Sequence, residues 1–116
     1  VTDKNLTTEL IYQMAKSSKP QDLKSMMDAA LNGNFTASRD LLLDLMLEKS
    51  LSGVDIIKGI MEMIPNLTLD EKMKVKLIEK CGETEFRLVE GSDEYIQMEA
   101  LLASFVLAAL KSKQQA

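Results

Sequence analysis

Histidine and tryptophan are absent from this 116-residue chain, and cysteine occurs once, at Cys81. One thiol forms no intramolecular disulfide, and one thiol without imidazole leaves too few soft ligands for the usual zinc sites. The lack of histidine also removes His-based triads and acid–base pairs. The glycines at 33, 53, 59, 82 and 91 are scattered outside any G-x-x-x-x-G-K pattern, so no phosphate loop of that kind exists. A net charge of −4 argues against a generally basic nucleic-acid binder. The opening residues Val1-Thr2-Asp3-Lys4-Asn5 carry neither a basic n-region nor an apolar h-region. They also lack an initiator Met, as expected of a processed chain or a fragment cut at a domain boundary. The longest apolar run, Ala100 to Leu110, is interrupted by Ser104 and falls short of the roughly 18 residues a bilayer requires, so no membrane partner is expected.

What is present favours helix. Eighteen Leu, eight Met and nine Ala stand against five Val, seven Ile and six Thr, and long unbranched or small side chains prefer helix to strand. With 46% apolar and 28% charged residues, the chain reads as one globular all-α domain, a bundle of five or six helices. The first helix is expected from Thr7 to about Ala15. Lys16-Ser17-Ser18-Lys19-Pro20 follows as a joint, dividing residues 1–17 from a helical domain over 18–116. Leu23, Met26, Met27, Ala30 and Leu31 then form one helix face, ended by Asn32-Gly33-Asn34. Thr36 is expected to cap a third, central helix, with Asp40, Asp44 and Glu48 as its narrow polar stripe. A fourth helix buries Val54, Ile57, Ile60, Met61 and Ile64 and stops at Pro65. Thr68-Leu69-Asp70-Glu71 has the form of a capping box for the fifth helix. That helix runs through Met73, Leu77, Ile78 and Cys81, with Gly91 as its stop. The last helix opens at Ser92-Asp93-Glu94 and reaches Lys111 or Lys113.

The sequence offers few residues for chemistry. Glu83-Thr84-Glu85 and Asp93-Glu94 are adjacent helical residues that do not converge on a substrate atom, so no catalytic residue is expected. Lys72, Lys76 and Lys80 recur every fourth residue, giving either a solvated face or a stripe that meets phosphate or an acidic partner. A DNA-binding role for that stripe predicts strongly salt-dependent affinity. Cys81 reads as a small core hydrophobe. Arg87 is one of two arginines against twelve lysines, and its bidentate fork suits either an interfacial pairing or an intrahelical pair with Glu83 or Glu90. From Ile96 to Leu110 apolar residues occupy nearly every angle of the last helix. Such a helix is either wholly internal or leaves part of its surface for a partner, and the second is expected because the third helix already claims the centre. Glu83, Arg87, Gln97, Leu101, Leu102 and Phe105 are the expected subunit-interface residues. The eight methionines also allow a monomeric helical adaptor that holds an amphipathic peptide in a Met-rich groove.

Gly82-Glu83-Thr84-Glu85-Phe86-Arg87-Leu88-Val89-Glu90-Gly91, followed by Ile96-Gln97-Met98-Glu99-Ala100-Leu101-Leu102-Ala103, resembles the C-terminal region of replication factor C small subunits. Ala29 to Phe35 with Ala37 and Arg39 is similar to that family's "Ala-Leu-x-Gly-x-Phe…Ala-Arg" stretch, with Ser38 inserted. Leu51-Ser52-Gly53-Val54-Asp55-Ile56-Ile57 is similar to its "Gly-Leu-Ser-Gly-x-Asp-Ile", with Ser50 for the first Gly. Met98 stands where Leu is usual, and Ser92 where Ala is common. The resemblance covers roughly residues 10 to 110.

It implies a collar, the helical domain by which five clamp-loader subunits hold one another in a ring. Ile11-Tyr12 would match the end of the lid before it. The implied partners are further copies and other clamp-loader subunits, with the sliding clamp and primer–template DNA reached through ATPase modules outside these residues. ATP and magnesium belong to those modules. No cofactor or metal is expected here, and with no Walker motif, arginine finger or lid arginine this stretch is not expected to be an enzyme. The implied location is cytoplasmic for an archaeal chain, the favoured source, and nuclear for a eukaryotic one.

Overall fold

Short polar side chains, each accepting a backbone N–H three residues ahead, set where helices α2 to α5 begin. A computed structural model describes residues 21–115, all helices and turns without a strand among them. Helix α1 covers the described residues 21–31. Gly33, at φ +84°, then lets its N–H and that of Asn34 return to the carbonyls of Ala30 and Ala29. Helix α2 is Phe35–Leu43, capped by Asn34, whose Oδ1 accepts the Ala37 N–H at 3.1 Å. The cap thus falls two residues before Thr36, because the Asn34 side chain takes the Ala37 N–H first.

The expected third helix does not continue as α-helix to Glu48. Asp44–Glu48 is a π-turn, in which the Lys49 N–H reaches back five residues to the Asp44 carbonyl, and Ser50 follows with φ +57°. This widening buries Leu45 and Met46 and leaves Leu47 exposed, so the helix lies against the core on one side instead of running through its centre.

Helix α3, Gly53–Met63, holds a capping box: the Asp55 N–H donates to Ser52 Oγ at 3.1 Å and the Ser52 N–H to Asp55 Oδ2 at 3.4 Å. Ile57, Ile60 and Ile64 are buried as expected, Ile56 joins them, and Met61 is exposed and Val54 half-buried. Helix α4, Glu71–Val89, starts at Asp70, whose Oδ1 accepts the Met73 N–H at 2.8 Å; Thr68 is exposed and outside the cap. It runs through Gly82 without a break. It ends where Gly91, at φ +100°, turns the chain so that the Ser92 and Gly91 N–H groups reach the Arg87 and Leu88 carbonyls. Helix α5, Glu94–Gln115, follows at once, with the Asp93 carboxylate accepting the Ile96 N–H at 2.9 Å.

Helices α4 and α5 form an αα-hairpin and pack along each other; α2 lies on α5 and α3 on α4. Phe105 is fully buried, with Met26, Met27, Leu42, Ile56, Ile60, Leu77, Met98 and Leu102 among the core side chains. Polar contacts tie the layers. The Ser38 hydroxyl donates to the Met26 carbonyl at 3.0 Å, Arg39 Nε donates to Glu99 Oε1 at 3.1 Å between α2 and α5, and Lys49 pairs with Asp22. By length and composition the span Glu94–Lys113 of α5 is apolar enough to cross a membrane, which the interrupted run Ala100–Leu110 did not suggest; a third of its most apolar window is buried in this domain. The expected first helix at Thr7–Ala15, Ile11-Tyr12 and the joint at 16–20 lie outside the described residues.

Candidate assembly surface

The outward sides of α4 and α5 carry most of the large apolar residues left uncovered among the described residues, Leu47 and Met61 being the others. On α4, Val75, Ile78, Gly82, Phe86 and Val89 fall within an arc of about 80° at 100° per residue. All five are exposed, Phe86 by 65% and Val89 by 68%. The opposite side of the same helix buries Met73, Leu77, Cys81 and Thr84. On α5, Ile96, Ala100, Ala103, Leu107 and Leu110 recur at intervals of four and three and also span about 80°. Ile96 is 65% and Leu107 66% exposed, while Leu110 is partly covered by the turn at Gly33. A helix with two apolar sides has one more than its own core uses.

The expected interface residues divide between these sides. Leu101, Leu102 and Phe105 are at most 2% exposed and belong to the domain's own core. Covering by another subunit would require opening that core, so the exposed apolar area of the last helix comes instead from Ile96, Leu107 and Leu110. Both sides of α5 are apolar, and its sequence alone does not distinguish them. Gln97 is half-buried in the first turns of α5. Glu83 and Arg87 are both exposed on α4, beside the apolar stripe. Glu83 pairs with Lys80 at 3.7 Å, and Arg87 forms no ion pair with the described residues, so the intrahelical Glu83–Arg87 pairing is not made.

Lys72, Lys76 and Lys80 lie on that same flank, Lys76 half-buried and the other two exposed. Glu79 and Glu83 interleave with them at helical spacing, making the flank mixed in sign, a poor match to a row of phosphates. Lys74, on the other edge, donates to the Pro65 carbonyl at 3.0 Å. The methionines bear on the adaptor reading: Met26, Met27, Met46, Met73 and Met98 are core, and among the described residues only Met61 is exposed. They fill the interior and line no Met-rich groove. Cys81 is likewise buried, and burial pushes its thiol up to about 12, away from nucleophilic or redox use at neutral pH. No cluster of metal-ligating side chains occurs among the described residues.

The stripe Val75, Ile78, Phe86 and Val89 is what the sequence reading missed. Its signal was the same three-and-four spacing used to find the buried side, hidden by the more conspicuous lysines.

Comparison with known proteins identifies the domain's family. The family described as the replication factor C C-terminal domain matches residues 18–104. A replication factor C small subunit of Pyrococcus horikoshii is 44% identical over 109 residues, 94% of this chain and 13% of that protein. One of Methanococcus maripaludis is 47% identical over 98 residues, 84% of this chain and 31% of that protein. A third, of Methanocaldococcus jannaschii, is 44% identical over 99 residues, 85% of this chain and 5% of its own length. The chain thus spans less than a third of the length of these relatives. With three quarters of its residues inside the family match and such identity over most of its length, this chain belongs to the replication factor C C-terminal domain family, as found in replication factor C small subunits.

Proposed function

We propose that this domain, over residues 18–116, is the collar of a clamp-loader small subunit. It holds ATPase modules in a ring that loads the sliding clamp onto primed DNA, in the cytoplasm. The observation that carries this reading is the pair of outward apolar stripes on α4 and α5, separate from a core that is already complete. Family membership supports it. The partners are other clamp-loader subunits and further copies of this chain; clamp, DNA, ATP and magnesium are engaged by modules outside these residues. On this reading ATP turnover belongs to those modules and not to this chain.

Light scattering on the chain over a range of concentrations tests the reading. Its mass should rise with concentration, and Phe86→Lys should hold it at the monomer mass with helicity unchanged. A parent that stays monomeric alone and with replication factor C subunits, at every concentration, would overturn the assignment.

A further inference from the structure

Two uncommon backbone conformations stand side by side at the end of α2. In the π-turn Asp44–Glu48 the Lys49 N–H reaches the Asp44 carbonyl at 3.2 Å, and the next residue, Ser50, has φ +57°. Each is costlier than continued α-helix, and such conformations persist only where their surroundings hold them. The side chain that the turn moves is Lys49. Counted at 100° per residue, an unbroken α-helix would carry Lys49 to within about 20° of the fully buried Leu42. The extra residue of the π-turn leaves it about 100° short of that line, where its Nζ meets the Asp22 carboxylate in the first described turn of α1.

We propose that residues 44–50 are a register latch at the place where residues 1–20 join the domain: Lys49 seated on Asp22 holds the π register, and drawing the start of α1 away lets the stretch close into α-helix. Among the described residues this ion pair is the one between α1 and the end of α2. In the α register Ser50 gives up its left-handed backbone, and Lys49 lays its methylene stem over the edge of the core with the ammonium in water. The Leu51 N–H, now 3.1 Å from the Leu45 carbonyl, loses that bond. A contact between two elements, and not the core alone, thus sets the balance between the registers. Displacement of the chain ahead of α1 is felt at the end of α2, and α2 also carries Arg39, bonded to Glu99 of α5 at 3.1 Å. The latch works within a single copy and does not rest on the collar reading.

Nuclear magnetic resonance on the isotope-labelled chain tests it, because coupling through a hydrogen bond names the acceptor. In the parent the Lys49 N–H couples to the Asp44 carbonyl. In Asp22→Ala that coupling passes in part to the Leu45 carbonyl, and the Lys49 and Leu51 amides exchange with solvent at least tenfold faster while the amides of α4 and α5 are unchanged. Lys24→Ala, which breaks the surface pair with Asp28 inside α1, alters neither reading. The swapped pair, Asp22→Lys with Lys49→Asp, returns the π register and the slow exchange, a rescue that general packing would not give. Lys49→Leu goes over to α-helix entirely, since leucine can join Leu42 on the buried side. An Asp22→Ala protein that keeps the Asp44 coupling and exchanges within about twofold of the parent overturns the latch, and so does a swapped pair that behaves like Asp22→Ala. A Lys49→Leu protein that retains the π-turn overturns the assignment of the register to Lys49.

Discussion

Phe105 and Phe86 belong to the same hairpin, one on α5 and one on α4, and their surroundings are opposite. Phe105 is fully buried among side chains from several helices, while Phe86 projects into solvent from a helix whose other side is already satisfied. In sequence both sit among Leu, Val and Ala or charged residues at helical spacing, and neither residue type nor periodicity separates them. A domain of this size can hold two apolar systems, one that folds it and one left over on its surface. They are told apart by which helix faces are left over once the core is closed.

The sharpest break between the two systems comes from truncating each phenylalanine. Phe105→Ala should cost about 3–5 kcal/mol of unfolding free energy in a urea titration. Phe86→Ala, measured at a dilution where the chain is monomeric, should stay within about 0.5 kcal/mol of the parent. Equal losses would mean that Phe86 is packed.

Two glycines make the same contrast with smaller effects. Gly53 sits under Leu88, Met98 and Glu94, and its N–H donates to Glu94 Oε2 at 2.7 Å, joining the starts of α3 and α5. Gly53→Ala should destabilise by about 1–3 kcal/mol through overpacking. Gly82→Ala should instead stabilise the monomer by about 1 kcal/mol. Thermal melts of the two variants, side by side, check the opposite signs.

The cap of α4 gives a finer comparison. Asp70→Ala should cost about 1 kcal/mol, since the Met73 N–H loses its acceptor, whereas Thr68→Ala should change stability by no more than about 0.5 kcal/mol. The smallest effect, none at neutral pH, concerns Cys81. Burial raises its thiol from about 9 to about 12, so the unfolded chain ionises first. Its contribution to stability is therefore full below about pH 9 and falls as pH rises towards 12. Cys81→Ala should flatten that part of the pH–stability profile, and the parent thiol should resist alkylation until the domain unfolds.

Much of the fold was legible because helix punctuation is local. Asn32-Gly33-Asn34 and Gly91 end helices through left-handed residues, and Leu23, Met26, Met27 and Ala30 show one unambiguous face. The errors lie where two residues compete for one task. Asn34 and Thr36 can each cap α2, and Thr68 and Asp70 can each cap α4; the angle at which the chain arrives decides between them, and that angle is set by tertiary packing. The π-turn at Asp44–Glu48 left no mark on a stretch so rich in leucine, so the third helix read as central when it is one-sided. The family resemblance was legible in the order of several weak motifs. The candidate surface was legible only in part: Glu83 and Arg87 are exposed on α4, whereas Leu101, Leu102 and Phe105 lie on the buried side of α5. Only the packed structure shows which apolar side remains uncovered.

On the proposed function, the inner sides of α4 and α5 hold the fold and the outer sides hold copies together. Melting temperature as a function of protein concentration tests it most directly, because self-association stabilises by mass action while core packing does not depend on concentration. The parent's melting temperature should climb with concentration, and that of Phe86→Lys should be flat and coincide with the parent's value at high dilution. A parent curve without concentration dependence, or a Phe86→Lys protein that melts well below the dilute parent, would contradict it.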